Sequence, residues 1–371
     1  MKHISVLIKP ASSLCNLRCK YCFYADVTSI REVRSYGKMK QETTEKMIRN
    51  IFADLLDGDR LTLAFQGGEP TMAGLSYFEY LTTLVENQEK KVTVDYSIQT
   101  NGILINERWC KFLKKYNFLV GLSIDGHPLY HDLNRLDTRG RGTFHKVLET
   151  KHLLEFFQIP FNILCVLTNP LAKEAKKVYR FLQNEQIDYF QIIPCLPDFD
   201  QKEASPYALT PQRFASFYHQ LFKHWFEDLK QGKYISIKLF DDILNLLVHQ
   251  QVTACGMLGN CRVQYVIEAD GGVYPCDFYV LDEWRLGNIT QQTLKEIFNN
   301  PQKEPFLCSR KELPQKCKQC PFKKMCGGGC KRMSDVMYVD QKQNFCGYQH
   351  FLKEFIPHID EIISLTGGVI H

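Results

Sequence analysis

The 371-residue sequence has no apolar run long enough to enter a membrane. Its first apolar stretch, Ile4 to Ile8, is closed after five residues by Lys9-Pro10. That is too short for a signal-peptide core and far short of a bilayer span. Basic clusters are also missing. The 46 Lys and Arg stand against 41 Asp and Glu, for a formal net charge of +5, and run no longer than pairs such as Lys90-Lys91. A nucleic-acid footprint would gather them into a patch, so neither nucleic acid nor a membrane is an expected partner. There is no low-complexity tract or internal repeat, and 44% of the residues are apolar, which excludes intrinsic disorder. The 15 cysteines are too sparse for a small disulfide scaffold, which needs roughly 8–10%, and their odd number cannot all pair. What remains is a cytoplasmic globular protein of two or three domains, in a compartment where cysteines more often bind metal or react.

The first two thirds of the chain alternate between two patterns. Strand-like runs fall at Ile4–Ile8, Leu61–Phe65, Val92–Ile98, Phe118–Ile124, Phe161–Leu167 and Tyr189–Ile193. Helical spacing falls between them, at Thr43–Leu56, Tyr77–Val85, Glu107–Tyr116, Phe144–Phe157 and Ala172–Leu182. Such alternation predicts an α/β fold of parallel strand–helix units, and six strands suffice for an open or partial barrel. The rhythm breaks after Pro194. Residues 198–211 are polar and read as a linker, followed by an amphipathic helix over Gln212–Leu229. From Tyr234 the chain becomes rich in cysteine and turns, which predicts domains at 1–233 and 234–371. Gly-rich and polar signals follow the strands: Gln66-Gly67-Gly68-Glu69-Pro70, Asn101-Gly102, Asp125-Gly126 and Cys195. In parallel α/β folds those strand ends carry the active site.

Two groups of cysteines carry the chemistry. Cys15, Cys19 and Cys22 form a CxxxCxxC on the loop after the first strand. Three thiolates there can hold three irons of a [4Fe–4S] cube and leave the fourth iron open to a ligand. Zinc is the rival, though a structural zinc site wants a fourth protein ligand. The C-terminal third carries Cys255, Cys261, Cys276, Cys317, Cys320, Cys326, Cys330 and Cys346. Eight thiolates satisfy two four-cysteine sites, of zinc or of iron–sulfur clusters. Cys110, Cys165, Cys195 and Cys308 are left over as core or incidental thiols.

The CxxxCxxC with GGEP after the second strand resembles the radical S-adenosylmethionine (SAM) enzymes. That resemblance implies a partial (β/α)6 barrel and a SAM-binding [4Fe–4S] cluster on Cys15, Cys19 and Cys22. Tyr21, Gly67, Gly68, Glu69, Ser123, Arg135 and Leu196 then match SAM-contacting positions. The C-terminal spacing resembles a SPASM domain with two auxiliary [4Fe–4S] clusters. By that resemblance Cys255, Cys261, Cys276 and Cys330 hold one, and Cys317, Cys320, Cys326 and Cys346 the other. KPASSLCNLRCKYCFY, AFQGGEPTMAG, SIQTNG and YPCDFYVLDEWRLGN together are similar to the anaerobic sulfatase-maturating enzymes. These oxidise one Cys or Ser of a sulfatase to Cα-formylglycine. The likeness implies Asp277 as the base, Tyr24 and Gln66 as substrate contacts, and an unfolded or nascent sulfatase as substrate. It also implies a low-potential electron donor such as flavodoxin or ferredoxin. The alternative is a radical SAM maturase that cross-links a small ribosomal peptide. Many of those carry an N-terminal leader-binding domain, and only 14 residues precede Cys15 here.

Overall fold

In the run His3–Ile8, Ile4, Val6 and Ile8 are buried while the residues between them are more exposed, and the segment is a strand. Alternation of this kind has one outcome on a half-buried sheet. The computed structural model describes residues 1–199, 205–309 and 312–367. The chain divides into two compact units, neither continuous in sequence. One comprises Met1–Ser123, Arg135–Phe161 and Arg262–Ser309; the other comprises Ile124–Asn134, Asn162–Cys261 and Arg310–His371.

In the first unit, His3–Ile8, Arg60–Phe65, Thr93–Thr100 and Leu119–Ser123 pair in parallel, each with the next. On the other side of His3–Ile8, Val266–Ile267 adds in parallel, with Leu7 opposite Val266. It continues antiparallel through Gly272–Tyr274 to Gly287–Asn288. No periodicity marks this late segment as a neighbour of the first strand. The helices Gln41–Ala53, Leu75–Glu86, Glu107–Lys115 and Phe144–Phe156 follow the strands. The first of these stops short of the expected Leu56, which is exposed. Glu107–Lys115 is started by the Asn106 side chain, which accepts from the Trp109 N–H, satisfying a donor that has no partner in the first turn. Phe65, Phe78, Trp109 and Phe118 meet edge to face or stacked in the core beneath the sheet.

In the second unit, Phe161–Leu167, Tyr189–Pro194 and Ser236–Ile237 pair in parallel. All six strands expected from the sequence are therefore present, four in one unit and two in the other. The helix expected from Ala172 starts at Ala175, after a 3-10 turn over Leu171–Lys173. Pro211–Leu229 begins at a Thr210 cap with Pro211 in the first turn, where a missing N–H costs nothing. Tyr218, Phe222 and Trp225, at helical spacing, pack against Phe240 and the Phe351–Phe355 pair. Of the expected linker 198–211, residues 200–204 lie outside the described residues. Among the described residues no helix is long and apolar enough to cross a membrane.

Candidate active site

The first unit assembles its site at the end of the first strand. Lys9 and Pro10 leave the strand, the chain turns through Ser12, and Cys15, Cys19 and Cys22 follow, all half-buried. Leu17–Cys19 pairs antiparallel with Arg135–Asp137, setting Cys19 opposite Arg135. The Arg135 guanidinium lies 5.6 Å from the centre of the Tyr21 ring. Burial pushes the Cys15 thiol up to about 11, against an opposing hydrogen bond from the Leu17 N–H. Burial also raises Cys22. Bare thiolates are disfavoured in such a place, and a cationic cluster core is what would offset them.

The Gly67-Gly68-Glu69 loop packs backbone to backbone against this loop. Gly68 N donates to Ser12 O at 2.8 Å and Glu69 N to Leu14 O at 2.8 Å. A Cβ on Gly68 would stand 2.3 Å from Leu14 O. Only glycine permits that approach. Glu69 is 1% exposed. Its carboxylate accepts from the Thr71 N–H and hydroxyl at 3.1 and 2.6 Å, the Thr100 hydroxyl at 2.7 Å and the Asn101 N–H at 2.8 Å. With the carboxylate and the Gly68 and Glu69 N–H groups committed, the glycines of the loop have their carbonyl oxygens to offer a ligand. Asn101 Nδ2 also reaches Asn16 Oδ1 at 2.8 Å, tying the third strand end to the cysteine loop. Ser123 is buried at the end of Leu119–Ser123 and accepts from Gln99 Nε2 at 3.1 Å. Gln66 Oε1 is buried with no hydrogen-bond partner among the described residues, as expected of a group that awaits one.

Cys276 and Asp277 belong to the same unit, on the turn that follows Gly272–Tyr274. Asp277 Oδ1 lies 2.5 Å from the Lys9 ammonium, and the Phe278 ring meets Phe23 at 5.1 Å. Tyr24 is buried; its hydroxyl donates to the Glu268 carboxylate and its ring lies 3.8 Å below the Lys9 ammonium. Arg31 Nη1 completes the group, 2.9 Å from Glu268 Oε1. Burial raises the Glu268 carboxyl to about 7, while Lys9 pulls it down. Sequence reasoning missed Lys9, Arg31 and Glu268 as site residues. No local motif marks them, since partners 244 and 237 positions apart meet only after the sheet forms.

Leu196 lies in the second unit, buried after Tyr189–Pro194, where Cys195 N donates to Leu167 O at 3.1 Å. In that unit Cys317, Cys320, Cys326 and Cys346 line one pocket with Tyr338 and Gln349. Three N–H donors point at sulfur: Gln349 Nε2 to Cys320 at 3.2 Å, Gln349 N to Cys346 at 3.4 Å, and Gly328 N to Cys326 at 3.4 Å. Cys346 is raised to about 11, first by burial and further by Cys317, Cys326 and Cys320. Four converging thiols with N–H donors behind them suit a [4Fe–4S] cube. Among the described residues no three His, Cys, Asp or Glu side chains close on a single metal ion. Cys330 packs on the Cys255-Gly256 turn, where a Cβ on Gly256 would lie 2.9 Å from Cys330 Cβ. Cys255, Cys261 and Cys330 are in the second unit and Cys276 in the first. Cys110, Cys165 and Cys195 are buried, Cys308 is exposed, and no cysteines are disulfide-bonded among the described residues.

The model of the radical SAM superfamily matches residues 10–182, and that of the iron–sulfur cluster-binding SPASM domain matches residues 255–321. The chain is 44% identical over 369 residues to the Cysteine-type anaerobic sulfatase-maturating enzyme of Clostridium perfringens (strain 13 / Type A), covering 98% of this chain and 99% of that one. It is 32% identical to the Serine-type anaerobic sulfatase-maturating enzyme of Klebsiella aerogenes, over 88% of this chain and 79% of that one. A solved structure described as native anSMEcpe with bound AdoMet and Cp18Cys peptide matches with a TM-score of 0.89 and 39% identity, covering 98% and 99% of the two chains.

Proposed function

Because this chain belongs to the anaerobic sulfatase-maturating enzymes of the radical SAM superfamily, we propose how its own residues carry that family's reaction. The enzyme oxidises a sulfatase cysteine to Cα-formylglycine. The observation that carries this reading is the end-to-end match to the Cysteine-type enzyme, well above the match to the Serine-type one. Nothing among these relatives favours the peptide cross-linking alternative.

Cys15, Cys19 and Cys22 hold the SAM-binding cluster, and Tyr21, Gly67, Gly68, Glu69, Ser123, Arg135 and Leu196 hold SAM. Cys255, Cys261, Cys276 and Cys330 take one auxiliary cluster; Cys317, Cys320, Cys326 and Cys346 take the other. Functionally the chain divides into a barrel with its connecting helix, 1–233, and an auxiliary-cluster domain, 234–371. Bound SAM would supply a 5′-deoxyadenosyl radical able to remove one hydrogen atom from the substrate Cβ, and the auxiliary clusters would offer an acceptor for the remaining electron.

Converting CH2–SH to CH=S removes two electrons and two protons. One proton and one electron leave with that hydrogen atom, so one proton needs a base. Asp277 takes it. An ordinary carboxylate is a weak base toward an intact thiol, but loss of the Cβ hydrogen makes the S–H proton much more acidic, so a modest base suffices. Water then replaces the thioaldehyde sulfur with oxygen, releasing hydrogen sulfide. Gln66 and Tyr24 line the approach of the substrate cysteine, and the unsatisfied Gln66 Oε1 supports that role. An unfolded or nascent sulfatase is the substrate, a flavodoxin or ferredoxin the electron source, and the cytoplasm the site of action.

The test is anaerobic incubation with SAM, a reductant and sulfatase peptides carrying Cys or Ser. Formylglycine formation appears as a loss of about 18 Da from Cys or about 2 Da from Ser, by atom counting on the oxidation. The Cys peptide is the expected substrate. A mass change only in unrelated precursor peptides would overturn the reading.

A further inference from the structure

The Asp277 carboxylate is held by a group that the reaction itself does not call for. Asp277 Oδ1 forms an ion pair with Lys9 Nζ at 2.5 Å and has no hydrogen-bond partner among the described residues. The lysine is 1% exposed and the aspartate side chain 14%. A buried ammonium is unfavourable without compensation, and here the Asp277 carboxylate, the neighbouring Glu268 and the Tyr24 ring supply it.

Lys9 is fixed from three sides. Its N–H donates to Ile267 O at 2.8 Å, which anchors it between the first strand and the segment leading to Asp277. Its Cβ and Cγ lie against Gly67, where an added Cβ would be 3.2 and 3.3 Å from them. Its ammonium sits 3.8 Å from the centre of the Tyr24 ring, within cation–π range. The other buried carboxylate of the group, Glu268, already has Arg31 at 2.9 Å and the Tyr24 hydroxyl. The Lys9 ammonium also acts on Glu268 through space, and its direct ion pair is with Asp277.

We propose that Lys9 is a positioning residue for the oxidation: its ammonium, fixed by the strand end, Gly67 and the Tyr24 ring, holds Asp277 Oδ1 and so sets the direction of that carboxylate. The proposal rests on the reading of Asp277 as the base. Lys9 itself exchanges neither proton nor electron with the substrate. It links the base to the GGE loop and to the strand end that begins the cysteine loop, so that one rigid corner of the first unit aligns both.

The experiment uses the full-length holoenzyme carrying Lys9→Met, Lys9→Gln or Lys9→Arg, reconstituted anaerobically. Iron content is measured, and 5′-deoxyadenosine and formylglycine are counted in one reaction with a Cβ-deuterated Cys peptide. In both neutral variants iron content and deuterium transfer should persist, while product per 5′-deoxyadenosine falls about 10- to 100-fold, a part of the full contribution of a general base. Lys9→Arg should restore most of that ratio. In an Asp277→Asn background, Lys9→Met should cost nothing further, because it acts through the missing carboxylate. A wild-type ratio in the neutral variants overturns the proposal, as do multiplying losses in the double variant. Loss of iron in both neutral variants also overturns it, by making Lys9 a folding residue. Normal product from Asp277→Asn alone would remove the base itself; silence in the Lys9 variants alone would leave the base standing.

Discussion

A single methyl group on Gly68 should disable SAM cleavage while leaving the rest of the enzyme folded. In Gly68→Ala the new Cβ would lie 2.3 Å from Leu14 O, 2.7 Å from Ser13 C and 2.8 Å from Leu14 C. All three are backbone atoms, so no side chain can swing aside. Carbon and oxygen rest at roughly 3.5 Å, and the loops must part by about 1 Å to relieve the overlap. Parting them breaks the hydrogen bonds from Gly68 N to Ser12 O and from Glu69 N to Leu14 O. At roughly 0.5–1.5 kcal/mol each, the two bonds amount to about 1–3 kcal/mol, or a 5- to 150-fold smaller competent population. The assay is 5′-deoxyadenosine release from the anaerobically reconstituted variant, alongside iron content and circular dichroism. Iron content and fold should match the wild type, with SAM cleavage reduced by at least about fivefold. Unchanged cleavage would refute the close backbone contact from which the effect is worked out.

Three four-iron clusters predict about 12 irons per chain, and replacing Cys15, Cys19 and Cys22 together by Ala should leave about 8, with SAM cleavage abolished; colorimetric iron analysis decides it. Cys317→Ala should lower soluble yield and iron relative to Cys308→Ser, since Cys317 lines the four-thiol cavity and Cys308 is exposed, and metal binding contributes folding free energy in such a site. The Glu268 carboxyl is raised from 4.5 to about 7 by burial, so between those values the folded chain holds a proton that the unfolded chain has released. Stability should therefore fall as pH rises through that window, and Glu268→Gln should flatten the fall, as urea midpoints at about pH 5 and about pH 8 would reveal.

The strand–helix alternation was legible because each strand carries its own period: Ile4, Val6 and Ile8 declare a buried face without reference to any other segment. Cys15, Cys19 and Cys22 were legible for a related reason, since a loop of eight residues contains the whole ligand set. The spacing alone gave the C-terminal cysteines as a count, and the grouping of Cys317, Cys320, Cys326 and Cys346 came only through the SPASM resemblance; the packing of Gly347–Phe355 and its neighbours is what brings these four to one pocket. Two features left no local trace. Val266–Ile267 is too short for a period, and its partner strand lies some 259 residues earlier, as the Leu7–Val266 pairing shows. That pairing carries Glu268 and Asp277 to Lys9, Tyr24 and Arg31. Lys9 read from the sequence merely as the polar end of an apolar run. Its significance comes from burial, which depends on everything packed above it.

The most direct measurement on the assignment of Asp277 is Asp277→Asn supplied with a Cys peptide deuterated at Cβ. The substitution keeps the size of the side chain and removes its basicity. Deuterium should still appear in 5′-deoxyadenosine, showing that SAM is cleaved and the Cβ hydrogen abstracted. Formylglycine should fall by about 10²- to 10⁴-fold, the usual contribution of a side-chain base. Near-normal formylglycine from this variant would contradict the account, because the proton would then be leaving by another route.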